Sequence, residues 1–210
     1  MIELHYWPTS NGLKISMALE EMGLPYEIHA VNIGKGDQFR PEFIAISPNN
    51  RIPAIIDRDP PGGGPAISIF ESGAILVYLA EKTGRFMPSD VRRRSEVMQW
   101  LFWQVGGLGP MAGQKGHFLH SAPEPIPYAI DRYTNEVNRL YRVMNQRLGE
   151  TRFLAGDRYT IADIATWPWA GNPERRGVDM ALYPNVQRWF EDILARPAVQ
   201  RGMALLADER

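Results

Sequence analysis

Hydrophobic residues alternate with polar ones at the start of the chain and then recur at helical spacing. The alternation over residues 2–6 predicts a strand, and residues 25–31 predict a second one. Between them, a turn at residues 7–12 precedes a helix with one apolar side, which Gly23 ends. A strand, a helix and a strand in this order predict two parallel strands joined by a right-handed crossover.

Two more strand-like segments follow, and only a turn separates them. They are residues 54–57 and 65–70, and the connection at 58–64 is rich in proline and glycine and too short for a crossover. We therefore expect an antiparallel hairpin. A helix over residues 71–82 then completes an α/β domain of residues 1–84 with a mixed four-stranded sheet.

The pattern changes after a linker at residues 85–89. Residues 90–210 have helical spacing and no convincing strand, so we predict a second, all-helical domain. A glycine-rich run at residues 106–110 is expected to break or kink one of its helices. Thr160 and Asp163 precede an apolar segment with the spacing of a capping box, which indicates a structural role at a helix start.

The composition excludes several kinds of chemistry. The 210 residues include no cysteine, so the chain has no disulfide framework, no cysteine nucleophile, no cysteine zinc ligand and no C-x-x-C redox pair. Any thiol chemistry must therefore use a thiol that a ligand carries. The formal net charge of -1 gives no reason to expect a nucleic acid or a membrane surface as a partner.

The N-terminus and the histidines add two expectations. The chain enters a strand directly, without the basic and apolar segments of a signal peptide, and no window approaches the ~18 apolar residues of a membrane span. We therefore expect a cytoplasmic protein. His117 and His120 form an H-x-x-H pair with no nearby partner motif, so we expect no metal site there.

Two turns carry residues that suit a small zwitterionic or anionic ligand. Thr9, Ser10 and Asn11 lie between a strand and a helix N-terminus, where N–H groups and hydroxyls favour an anion. Glu71 and Ser72 occupy a similar place, and together they could hold an ammonium group and a carboxylate. Plain helix caps explain the first set equally well, and a single Glu-Ser pair is a weak signal for such a ligand.

Pro53 stands immediately before a predicted strand. It lacks an N–H group, which suits a strand start or a bend, and it makes Ile52 extended. The backbone groups of such a residue can pair with a peptide as an added strand. The local sequence favours a trans bond before Pro53, because only about 5–6% of X–Pro bonds in folded proteins are cis.

Taken together, these motifs resemble those of the cytosolic glutathione transferase family across essentially the whole chain. The motifs are residues 47–55 (SPNNRIPAI), residues 70–75 (FESGAI) with Tyr78 and Leu79, and the capping box. Residues 6–12 (YWPTSNG), Gln38 and residues 127–133 (PYAIDRY) are most similar to the bacterial nu class of glutathione-dependent disulfide-bond reductases. The resemblance implies a thioredoxin-like domain before the helical one, a cis bond before Pro53, and a homodimer.

The resemblance also implies roles for individual residues. The implied glutathione-binding positions are Gln38, Ile52, Pro53, Glu71, Ser72 and Arg132, the last acting in its own or the partner subunit. The implied catalytic positions, beside the glutathione sulfur, are Thr9, Ser10 and Asn11. Tyr6 corresponds to the tyrosine of many animal classes, but it precedes the turn and is expected to point into the core.

The reaction that the resemblance implies is thiol–disulfide exchange. One glutathione attacks a small disulfide and a second glutathione resolves the mixed disulfide, with no metal required. Two alternatives stay open. The same thiolate could attack a small electrophile in a pocket of the helical domain, or the chain could be a non-catalytic assembly domain.

Overall fold

A computed structural model describes residues 1–171 and 177–207 of the chain. Its contacts form two compact units, one of Met1–Pro88 with the segment that begins at Ala195, and one of Ser89–Leu194. The division into residues 1–84 and 90–210 stays a prediction. The contacts differ from it in one respect, because they group the C-terminal segment with the first unit.

The first unit contains a four-stranded mixed sheet. Its strands are β1 (Ile2–Tyr6), β2 (Tyr26–Ala30), β3 (Ala54–Asp57) and β4 (Ile67–Phe70), and their order in the sheet is β2-β1-β3-β4. β1 and β2 are parallel, whereas β3 is antiparallel to both β1 and β4. The predicted crossover and hairpin are therefore confirmed.

Helices make up most of the remaining structure. They are α1 (Ser10–Met22), α2 (Pro41–Ile44), α3 (Ser72–Thr83), α4 (Val91–Trp103), α5 (Gly109–His120), α6 (Pro127–Glu150), α7 (Ile161–Ala170), α8 (Pro184–Leu194) and α9 (Pro197–Ala204). The predicted α/β domain followed by a helical one is confirmed. None of the helices in the described part of the chain has the length and apolarity needed to cross a bilayer.

α1 is the most enclosed helix of the first unit. All of its residues from Gly12 to Leu19 are buried, because it packs against both α3 and α9. α9 comes so close that a Cβ atom at Gly202 would lie 2.8 Å from the backbone nitrogen of Met17. At the edge of this contact, the Arg196 guanidinium donates to both carboxylate oxygens of Glu21, at 2.5 and 2.8 Å.

The second unit shows how the chain accommodates its glycine-rich run. α4 continues through a π-helical segment, Gln104–Leu108, directly into α5. Pro110, which has no N–H group to donate, is the second residue of α5, directly after the π-helical segment. The predicted interruption is thus a local widening of a continuous helix.

The predicted capping box at α7 is confirmed. The Thr160 hydroxyl oxygen accepts a bond from the backbone of Ala162, and the Thr160 N–H donates to Asp163 Oδ2 at 3.0 Å. Asp163 is fully buried and also accepts from the Leu154 N–H and the Trp189 Nε1, both at 2.9 Å. One side chain therefore joins a helix start, a loop and α8.

Asp57 is a fully buried carboxylate at the end of β3. It accepts bonds from the Tyr78 hydroxyl at 2.6 Å and the Asp59 N–H at 3.0 Å, and Lys82 Nζ lies 2.7 Å away. Burial by itself would raise the pKa of Asp57, but the bonds from Lys82, Tyr78 and Asp59 hold that pKa below its ordinary value. The ionised form therefore stabilises the fold.

Replacing Asp57 with asparagine is expected to lower the free energy of unfolding by about 2–3 kcal/mol at pH 7. The pKa is lower in the folded state, so the stabilisation is present above the unfolded pKa and is lost as the pH falls through the folded pKa. Urea unfolding at pH 7 and near pH 3 should show that the difference in free energy of unfolding between the variant and the unaltered protein is smaller in acid. Asp59→Asn, at an exposed position, is the control; a deficit that is the same at both pH values would contradict the prediction.

Candidate active site

The strand register places four connecting segments at one edge of the sheet. His5 pairs with Ala54 across β1 and β3, and Ala54 pairs with Phe70 across β3 and β4. Tyr6 pairs with Ala30 across β1 and β2. The segments that follow β1, β2 and β4 and the one that precedes β3 are therefore neighbours.

These four segments carry every predicted site residue except Arg132. Thr9, Ser10 and Asn11 follow β1, Gln38 follows β2, Ile52 and Pro53 precede β3, and Glu71 and Ser72 follow β4. The topology thus brings together residues that are up to about sixty positions apart in the sequence. Their roles stay predictions, because proximity alone assigns none.

Thr9 is the N-cap of α1. Its backbone is extended, with φ -102° and ψ 168°, and its side-chain oxygen accepts a bond from the Gly12 N–H at 3.2 Å. A threonine hydroxyl that accepts a bond still has its own proton to donate. No residue in the described part of the chain takes that proton, so Thr9 can donate to a ligand at the positive end of α1.

Tyr6 does not contribute to this edge. Its side chain is fully buried, and its hydroxyl donates to the carbonyl of Leu205 at 3.4 Å. The expectation that it points into the core is confirmed.

The Ile52–Pro53 peptide bond is cis. The resemblance implied this bond correctly, whereas the trans bond that the local sequence favoured is wrong. Ile52 forms no backbone hydrogen bond with any residue that the structure describes, although the turn before it is fixed by a bond of 2.8 Å from the Ser47 hydroxyl to the Arg51 carbonyl. Its N–H and C=O groups can therefore pair with an extended peptide.

Glu71 has an unusual backbone conformation. Its φ of 70° and ψ of 112° lie outside the regions that non-glycine residues ordinarily occupy. It is the N-cap of α3 but makes no side-chain cap bond, and its side chain is exposed. Backbone strain of this kind concentrates at functional sites, where it orients a side chain or a backbone group.

Gln38 lies in a short 3₁₀ helix, Asp37–Phe39, and is only 9% exposed. Its Oε1 atom is buried and has no hydrogen-bond partner among the described residues. A buried amide without a partner is costly, so this atom is suited to accept a bond from a ligand N–H group.

Sequence reasoning missed Lys14. It is 2% exposed on α1, and its Nζ donates to the Ser72 hydroxyl at 3.3 Å. Burial lowers the pKa of Lys14 to about 7, and the nearby negative charge of Glu71 opposes that shift. The available signal was a charged residue between Leu13 and Ile15, in a helix segment that is otherwise apolar or small.

Arg132 lies on α6, in the second unit, and is exposed. Together with Arg139 and Arg142 it lines an open cavity of about 730 Å³. His117 and His120 are both exposed on α5, and the described residues contain no group of three or more metal-ligating side chains. The implied contact between Arg132 and a ligand carboxylate stays a prediction.

Comparisons with known proteins cover both halves of the chain. Residues 1–81 match the glutathione S-transferase N-terminal domain, and residues 109–197 match the glutathione S-transferase C-terminal domain. The disulfide-bond oxidoreductase YfcG of Escherichia coli is 56% identical over 212 residues, which cover 100% of this chain and 99% of that protein. The disulfide-bond oxidoreductase YghU of Escherichia coli is 44% identical over 214 residues, which cover 96% of this chain and 73% of that protein.

Solved structures show the same similarity. A glutathione transferase family member from Pseudomonas fluorescens, with two glutathione bound, has a TM-score of 0.91 and 45% identity and covers 96% of this chain and 92% of that one. A glutathione transferase from Pseudomonas putida, with one glutathione disulfide bound per subunit, has a TM-score of 0.93 and 44% identity and covers 97% of this chain and 91% of that one. By its sheet, its helical unit and these matches, the chain belongs to the glutathione S-transferase family.

Proposed function

We propose that this protein reduces small disulfides with glutathione as the thiol. The observation that carries the proposal is the unpaired backbone of Ile52, which lies beside the N-terminus of α1 in a chain with no cysteine. Such a site can dock a peptide, and only a peptide that brings its own thiol can supply the chemistry. The two relatives named as disulfide-bond oxidoreductases support the same reaction.

The tripeptide binds along the shared edge of the sheet. Its cysteinyl residue pairs with the Ile52 backbone, and the γ-glutamyl end meets Glu71 and Ser72. The exposed carboxylate of Glu71 attracts the ligand ammonium, and the first N–H groups of α3 accommodate its carboxylate. Gln38 accepts a ligand N–H at its unpartnered Oε1. Arg132, of this subunit or of the partner subunit, binds a γ-glutamyl carboxylate.

Catalysis depends on forming the thiolate, because the thiolate and not the thiol is the nucleophile. The Thr9 hydroxyl and the positive end of α1 stabilise a negative sulfur, with Ser10 and Asn11 in the same first turn. The thiolate attacks one sulfur of the substrate disulfide and expels the other as a thiol. A second glutathione then attacks the mixed disulfide, which releases the second substrate thiol and glutathione disulfide.

Finer assignments follow from the same proposal. We assign the chain to the nu class, an assignment that the YWPTSNG turn and the α6 sequence around Arg132 support. We assign it to the cytoplasm, because reduced glutathione is present there. We also expect a homodimer. The natural disulfide is a small molecule that fits beside the glutathione sulfur.

Reduction of 2-hydroxyethyl disulfide by glutathione is the direct test, with Asn11→Ala as the probe of the site. We expect turnover by the unaltered protein and a loss of about 10- to 100-fold in kcat/KM for Asn11→Ala, because a donor beside the reacting sulfur disappears. Gln146→Ala, an exposed amide on α6, is the matched control and should retain full activity.

The same experiment separates the alternatives. Turnover of a chlorodinitrobenzene electrophile without disulfide reduction would assign conjugation as the reaction. No turnover of either substrate would exclude both enzymatic functions. If a calorimetric titration detects no glutathione binding, the non-catalytic assembly domain is the function that remains.

A further inference from the structure

A buried lysine lies directly beneath the serine that we assign to the γ-glutamyl end of glutathione. Lys14 and Ser72 are 2% and 8% exposed, and the Lys14 ammonium donates to the Ser72 hydroxyl at 3.3 Å. A buried ammonium is costly unless negative or polar groups compensate for its lost hydration. A methionine of similar length would fill the same space in α1 without that cost.

The direction of the bond determines what Ser72 can offer to a ligand. An ammonium group has only donors, so the Ser72 oxygen is the acceptor and its hydroxyl keeps a proton to donate. Hydrogen bonds in a chain polarise one another, which makes that hydroxyl a stronger donor. The N–H groups at the start of α3 lie beside it, and the Glu71 side chain does not cap them.

We infer that Lys14 is a positioning residue that stabilises the γ-glutamyl α-carboxylate of bound glutathione through the Ser72 hydroxyl. The inference rests on the proposed function and refines it. The protonated form of Lys14, which a bound carboxylate favours, supplies a positive charge two hydrogen bonds away from that carboxylate, in a part of the protein where water does not screen it. The negative charge of Glu71 already opposes the lowering of the Lys14 pKa, and the ligand carboxylate adds a second negative charge with the same effect.

A role of Lys14 in packing alone predicts that Lys14→Met, which fills the same space, binds ligand as tightly as the unaltered protein does. A lysine whose burial lowers its pKa binds its proton more weakly in the folded than in the unfolded chain, so its charge opposes folding near pH 7. Lys14→Met should therefore have a melting temperature equal to or higher than that of the unaltered protein. The variant is expected to gain stability and to lose affinity for ligand.

The decisive measurement is a calorimetric titration with three ligands. The first is reduced glutathione. The second, glutaryl-Cys-Gly, keeps the γ-glutamyl carboxylate but lacks the ammonium, and the third, 4-aminobutanoyl-Cys-Gly, keeps the ammonium but lacks the γ-glutamyl carboxylate. Lys14→Met should lower the affinity for the first two ligands by about 10- to 100-fold, which is the range for a lost hydrogen bond to a charged group. Its affinity for the third ligand should change by no more than about twofold, because that ligand lacks the γ-glutamyl carboxylate and keeps only the glycine one.

Two further variants complete the design. Lys115→Met removes another lysine that is 2% exposed, one that donates to the Gly177 carbonyl at 3.1 Å and not to Ser72. It should not discriminate among the three ligands. In a double-mutant cycle, Lys14→Met together with Ser72→Ala should bind glutathione no more than about twofold more weakly than Ser72→Ala alone, because the lysine acts through the serine.

Each outcome decides the inference. If Lys14→Met lowers the affinity for all three ligands equally, or leaves the affinity for glutathione unchanged, the inference about Lys14 is wrong. The proposed glutathione site is not affected by either result. No binding of any ligand to the unaltered protein would overturn the proposed function and the inference together. If Lys14→Met does not fold, Lys14→Gln removes the charge, keeps a donor for Ser72, and carries the same comparison.

Discussion

Replacing Asp163 with alanine should lower the free energy of unfolding by about 4–5 kcal/mol, enough to leave a protein of ordinary stability close to unfolded. Asp163 is 0% exposed and accepts four hydrogen bonds, from the backbone of Leu154 and Thr160, the Thr160 hydroxyl and the Trp189 indole. Alanine leaves these donors buried without an acceptor, and each unpaired buried donor costs about 1–3 kcal/mol.

Urea unfolding followed by far-ultraviolet circular dichroism measures the effect. Asp90→Ala is the control, because Asp90 also accepts a backbone bond at a helix start, from the Arg93 N–H at 3.0 Å, but it is exposed at the N-cap of α4. The control should lose only the usual 0.5–2 kcal/mol of a cap, roughly. Equal losses in the two variants would mean that the buried contacts of Asp163 add nothing to its capping role.

Gly12→Ala should reduce the kcat/KM of disulfide reduction by about 100-fold or more. A Cβ atom at this position would lie 2.1 Å from the Trp7 carbonyl oxygen and 2.9 Å from the Tyr6 ring. The carbonyl belongs to the backbone, so the turn itself has to move. Because the Gly12 N–H holds the Thr9 side chain at 3.2 Å, that movement displaces a group proposed to contact the sulfur.

Steady-state kinetics with glutathione and 2-hydroxyethyl disulfide, together with thermal melts, test this second prediction. The stability loss should be about 1–3 kcal/mol, the range for an overpacked site, so a folded but poorly active protein is expected. Gly116→Ala is the control, since a Cβ atom there would meet nothing within 4 Å inside α5. Kinetics for Gly12→Ala that match the control would show that the turn tolerates the displacement.

The fold was predictable where local signals determine it. The hairpin follows from a connection too short for a crossover, and the α7 start follows from the spacing of Thr160 and Asp163. Packing between distant segments was not predictable in this way. The place of α9 against α1 depends on Gly202, whose significance appears only once Met17 lies 2.8 Å from where its Cβ would be.

The candidate site shows the same limit. Its two helix-start turns could be located from the sequence, because strand ends and capping residues mark them. The cis bond before Pro53 was not accessible from local residues, which favour trans, and it came from the resemblance alone. Lys14 was missed because its burial results from the packing of α1 against α3, and a lysine in an amphipathic helix ordinarily reaches water.

The membership of α9 in the first unit has a consequence for protein synthesis. Glu21 and Arg196 are 175 residues apart in the chain, and a ribosome that adds about 5–20 residues per second needs roughly 10–35 seconds to make the residues between them. During that time the surface of α1 that α9 covers stays open on the nascent chain. The unit whose strands are translated first is therefore the last to be complete, after all the residues of the helical unit have been translated.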